Sequence, residues 1–164
     1  SLIVLFPQGI AAQNSSKQIV GAAHSGLGSE MWHGYGLKTG YLGCSAAVCN
    51  VLKKAGVKGV SSAAVTIMRS QLLHGPTQCQ EFVIKNGEAG RINDAKLLAA
   101  CRPGDVLVAF AEGPTKPNLG GNAHCGIMGG GTRIYTNDWN DGIWKLVDIH
   151  LMFDQYKHVR LLRV

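Results

Sequence analysis

The chain predicts an α+β domain in which N-terminal helices pack on a C-terminal antiparallel sheet, and three observations carry that reading. Apolar residues recur at helical spacing in several segments before Cys101. After Pro103 the apolar runs shorten and are bounded by Gly, Asn and Asp, which is strand patterning. A Gly-Gly-Gly connection between two of these runs reads as a hairpin, so its strands run antiparallel. With 164 residues, 46% hydrophobic and 16% charged, the chain is long and apolar enough to form one domain, residues 1–164, around its own core.

Residues 2–6, "LIVLF", are too few to span a bilayer and no basic segment precedes them. They read as a first strand in preference to the stub of a secretion signal, for which Ala11-Ala12 would be the small-residue cleavage site. Ser15-Ser16 read as the cap of a helix over residues 17–24, with Ile19, Val20 and Ala23 on one face. A loop rich in glycine and aromatics follows, leading to Cys44. Ala47, Val48, Val51, Leu52 and Ala55 then mark a second helix, with Lys53-Lys54 in its last turn and Gly56 ending it. A third helix is expected to start at Ser61 or Ser62 and to carry Val65, Ile67, Met68, Leu72 and Leu73. A short fourth covers residues 93–101. Strands are expected over 105–110, across the "HCGIM"–"TRIYTN" hairpin, over 144–147 and over 158–164. The Pro- and Gly-rich loop between Phe110 and His124 is placed to border a site.

The net charge of +6 favours anionic partners. Its positive residues are scattered and not interleaved with aromatics, so nucleic acid is not an expected partner, and no later segment could cross a bilayer. Five cysteines leave at least one thiol outside any internal pairing. Their spacing, without C-x-x-C or H-E-x-x-H, points to no structural metal and no cofactor. In an oxidising compartment Cys79 and Cys101, both at element edges, would be the pair to form a disulfide; otherwise all five stay reduced. Cys49 and Cys125 are expected to pack in the core, Cys125 pointing away from His124.

Cys44 falls at the first turn of the second helix. Unpaired N–H groups and the dipole there lower a thiol pKa and can receive an oxyanion. The preceding glycines would allow a substrate backbone to approach closely. A nucleophilic thiol needs a base, and His124, opening a strand after a long loop, is the best placed of the six histidines. If Gly130-Gly131 form a two-residue turn, counting outward sets Asn137 opposite His124, where its amide could orient the imidazole. A change of one residue in the loop would bring up Thr136 instead, and Asp138 is also close.

The order "GCSAAVCNVLKKAGV", "CRPGDVLVAF", "AHCGIMGGGTRIYTND" resembles the NlpC family of papain-like cell-wall peptidases and, more loosely, the CHAP amidases, over residues 19–147. The resemblance implies a papain-like fold, Cys44 as nucleophile, His124 as base and Asn137, Thr136 or Asp138 as orienter. It also implies an oxyanion and substrate loop of Tyr41, Gly43 and Ser45, and an upstream aromatic hydroxyl for which Tyr35 and Tyr41 lie in the right loop but neither matches the family's position. The implied substrate is an amide in peptidoglycan peptide stems, cut by a secreted or periplasmic enzyme such as an antibacterial toxin with an inhibitory (immunity) protein as partner. Gly43 and Ala46 depart from the family's Asp and Gly around the cysteine, and Cys125 replaces an apolar residue beside the histidine. A CHAP-like amidase, an acyl transferase on the same fold, or a non-catalytic wall-binding module are the alternatives.

Overall fold

The computed structural model describes residues 8–116 and 122–164, with backbone alone over 8–14. The expected strand over residues 2–6 lies outside the described residues. Among the described residues four helices and six strands follow in the order α1 (Gln8–Ser25), α2 (Cys44–Lys54), α3 (Val65–His74), β1 (Gln80–Asn86), α4 (Asp94–Ala100), β2 (Val106–Phe110), β3 (Ala123–Met128), β4 (Arg133–Asn137), β5 (Trp144–Asp148), β6 (His158–Arg163). All strands pair antiparallel in one sheet, ordered β1-β6-β2-β3-β4-β5, so the fold class is α+β as expected. No helix among the described residues is long and apolar enough to cross a membrane.

The central strand β2 is buried on both faces. Val106, Val108 and Phe110 face a core with α1, α2 and α3, while Leu107 and Ala109 face a second core closed by Leu97 of α4 and by Ile149, Phe153 and Tyr156. Helices therefore cover one face, and α4 with the segment after β5 covers the other. This separation disposes of the expected disulfide. Cys79 lies in the helix-side core and Cys101 packs against the other, and all five cysteines are unpaired.

α2 is the most deeply buried helix, with Ala46, Ala47, Val48, Cys49, Val51 and Leu52 all sealed from solvent. Small residues on most of its faces let it sit against both the sheet and its neighbouring helices. It ends where expected: Gly56 takes φ +87°, and the amides of Gly56 and Val57 bond back to the carbonyls of Lys53 (3.0 Å) and Leu52 (2.9 Å).

Three boundaries differ from the sequence expectation. Ser15 and Ser16 do not cap α1, which begins at Gln8; Ser16 instead donates from inside the helix to the carbonyl of Pro103, docking α1 on the turn before β2. Ser61 and Ser62 do not begin α3, whose extended cap residue is Ala64. The Ser62 hydroxyl accepts from the Ala64 amide, and its carbonyl accepts from Ser45. β1 had no counterpart in the expected strands. It is an edge strand with a bulge between Val83 and Lys85, which breaks the alternation that would have marked it. The Pro-Gly-Asp turn has a structural role, because Asp105 accepts the Arg102 amide (2.8 Å) and both donors of Arg163 (3.0 and 2.8 Å).

Candidate active site

Cys44 is the first residue of α2, delivered by a 3₁₀ turn at Gly40–Leu42 and by Gly43. The first i−4 bond of the helix runs from the Ala47 amide to the Gly43 carbonyl (2.9 Å), so the amides of Cys44, Ser45 and Ala46 have no such partner. The glycines here serve packing instead of substrate approach. A Cβ on Gly43 would lie 2.5 Å from the Trp32 Cβ, and one on Gly40 would lie 2.5 Å from the Gly142 Cα. Trp32 thus presses the turn into place.

Cys44 is 9% exposed and lines a cleft of about 480 Å³. Its pKa falls well below the ordinary thiol value of 9.0. A hydrogen bond from the Cys125 thiol lowers it most, outweighing the desolvation that raises it. The His124 imidazole and the Ser45 amide lower it further. Cys125 is pushed the other way by burial and by Cys44 itself. Of the two sulfurs, Cys44 is the one whose ionisation is favoured, because it has the helix amides and the imidazole while Cys125 lies in the apolar core.

His124, 2% exposed, is the second residue of β3. Its ring is fixed by the edge of Trp139 and by Phe153, each with centroids 4.9 Å away. Its Nε2 lies 2.8 Å from the Thr136 hydroxyl. That hydroxyl has a single proton, and it donates it to the Cys125 carbonyl (2.8 Å). Its oxygen therefore accepts from Nε2–H, which leaves Nδ1 as the unprotonated nitrogen available to the Cys44 thiol.

Asn137 does not orient the histidine. Three residues, 130–132, separate Gly129 from Arg133, and the ladder pairs Gly126 with Thr136. Thr136 thus shares the face of His124 as its diagonal neighbour, while Asn137 points to the other side. There its amide donates to the Gly40 carbonyl (2.8 Å), bracing the turn that carries Cys44. Asp138 does not reach the ring either; it pairs with Lys145 (2.8 Å) and accepts the Asn140 amide (2.9 Å). Cys125 is buried as expected, yet it touches Cys44.

In the candidate substrate loop, Tyr41 is 61% exposed at the cleft. Ser45 turns its hydroxyl away to the Ser62 carbonyl (2.7 Å) and offers the site only its amide. Tyr35 bonds Ser61 (3.2 Å) and does not line the cleft. Sequence reasoning missed Tyr156, Trp139 and Phe153. Tyr156 lines the cleft with its ring buried, and its phenol makes no hydrogen bond among the described residues. Burial, with Cys44, Cys125 and Tyr41 nearby, drives its pKa up, so the phenol stays a neutral donor. The aromatic content of "MFDQY" was the available signal. Among the described residues no three His, Cys, Asp or Glu side chains converge to hold a metal. No protein-family model matches this chain, and comparison with curated proteins finds no significant relative.

Proposed function

We propose that the protein is a papain-like cysteine amidase that hydrolyses an amide bond in peptidoglycan peptide stems. The observation that carries this reading is the assembly of a low-pKa thiol at a helix start with a histidine whose far nitrogen is already held. In the proposed reaction His124 Nδ1 takes the Cys44 proton, and the thiolate attacks the scissile carbonyl. The free amides at the start of α2 receive the oxyanion, and the Tyr156 phenol is a further neutral donor in the cleft. The intermediate collapses as the C–N bond breaks, and the leaving amine takes the proton from His124. Water, deprotonated by the same nitrogen, attacks the thioester and releases the acid and the Cys44 thiol.

The wall polymer as substrate rests on the motif order and on the net charge of +6, which suits an anionic polymer. A secreted or periplasmic location and an inhibitory protein partner belong to the same proposal. An acyl transferase would share every step except the last, with an amine in place of water. Mass analysis of muropeptides after incubation with the protein tests the reading. A new carboxyl and amine terminus is expected, absent with Cys44→Ala; an unchanged muropeptide profile sinks the proposal.

A further inference from the structure

The chemical character of the cleft narrows the substrate. The helical side contributes Leu37, Leu42, Ala63, Ala64 and Val65, and the sheet side contributes Trp139, Asn140, Gln155 and Tyr156. Apart from Cys44 and His124, the titratable side chains lining it among the described residues are Tyr41 and Tyr156. Among the described residues no Asp, Glu, Lys or Arg lines the cleft, in a chain that carries 16 basic and 10 acidic residues. The residues outside the described set, "SLIVLFP" and "PNLGG", contain no charged side chain either, nor does "QGIAAQN" over 8–14.

A charged substrate group entering such a cleft would lose water without gaining a counter-ion. The two carboxylates of the β4–β5 turn, Asp138 and Asp141, both pair with Lys145, at 2.8 and 2.6 Å, and neither lines the cleft. Neutral side chains meet the opposite situation: Leu37, Leu42 and the alanines offer apolar contact, while Asn140, Gln155 and the phenols can bond a peptide backbone.

We infer that the cleft selects an amide flanked on both sides by uncharged, small or apolar residues. This deepens the amidase reading and rests on it. In a stem peptide it admits an amide between alanine-type residues and disfavours one beside an ionised glutamate or a diamino acid.

Three peptidyl vinyl sulfones of equal length, with Ala, Glu or Lys next to the electrophile, test the inference on the full chain. Alkylation of Cys44 is followed by intact mass with site mapping. The Ala compound is expected to label at least tenfold faster than either charged one, and a ratio below tenfold overturns the inference. Raising the salt concentration should leave the ratio unchanged, because the selectivity comes from desolvation; a ratio that collapses with salt assigns it to distant charges and overturns the proposal. Leu42→Arg, at a rim position 44% exposed, should raise the rate of the Glu compound relative to Ala at least threefold. An unmoved ratio counts against the cleft as its source. Iodoacetamide separates the two levels. If it alkylates Cys44 while all three peptides fail, the peptide cleft is wrong and the nucleophile stands. If Cys44 reacts no faster than the other cysteines, the nucleophile falls and this inference with it.

Discussion

Thr136 occupies the position for which Asn137 was the expectation, and the two residues show what a strand sequence leaves open. The placement of Cys44 and His124 was legible because a helix start and a strand start both have local signals. The third residue depended on counting across a hairpin. One more residue in the turn moves the register, and the period of two then sends Asn137 to the opposite face. Thr136→Val removes the acceptor of Nε2–H while keeping the shape. Turnover should fall roughly 10- to 100-fold, part of the roughly 10²–10⁴ that a positioned base contributes, with KM little changed. Thr136→Ser should recover most of it, and steady-state kinetics of the three proteins reads the split. If Thr136→Val turns over normally while Asn137→Ala is crippled at unchanged stability, the assignment of the ring partner is wrong. The sulfurs give a second prediction. Cys44, its pKa lowered by Cys125 and His124, should be alkylated at pH values well below 9.0, where its thiolate is already present. Cys101, pushed by burial to about 12, should stay unreactive there. Time-resolved alkylation with peptide mapping across pH decides it, and simultaneous labelling of both would remove the case for an activated thiol.

Two elements carry consequences for stability. The turn into α2 is packed against Trp32 so closely that Gly43→Ala forces a shift of backbone or indole. Overpacking of this kind costs about 1–3 kcal/mol. Denaturant unfolding should register that loss, and turnover should fall too because the nucleophile moves with the turn. The segment after β5 is tied to α4 by His150, which lies between Asp154 (2.8 Å) and Asp94 (2.5 Å). Burial alone would lower the His150 pKa, but the two carboxylates outweigh it and raise it above the ordinary 6.5. A raised folded-state pKa means that the contribution is full below about pH 6.5 and is lost as pH rises through the folded value. Melting temperature should therefore decline on going from about pH 6 to pH 8, and His150→Gln should flatten that decline. A mutant whose melting profile keeps the wild-type slope excludes the latch. Nothing beside His150 in the sequence marks this role, because its partner Asp94 lies 56 residues away on α4. β1 escaped notice for a related reason: its bulge breaks the alternation, and its polar residues read as loop.

At the scale of the molecule, the sequence order of helices before strands was readable, but the face on which each helix packs was not. α4 crosses to the far side of the sheet, where Leu97 meets Phe153 and the histidine side of the site. Chain order carries no mark of that choice; it follows from which face of β2 each apolar residue occupies. Deep burial of α2 has its own outcome in the hierarchy of openings a folded protein undergoes. A helix sealed by the sheet and by two other helices cannot come loose alone, so its amides are released only when the whole domain unfolds. Hydrogen exchange should show residues 48–52 protected to the full unfolding free energy, with the exposed turn around Leu151 exchanging far earlier. Early exchange in α2 would contradict that placement. Cys44 stands on the first turn of this slowest-opening unit. Its reactivity then belongs to the native ground state: urea below the unfolding transition should leave the thiol's rate constant unchanged.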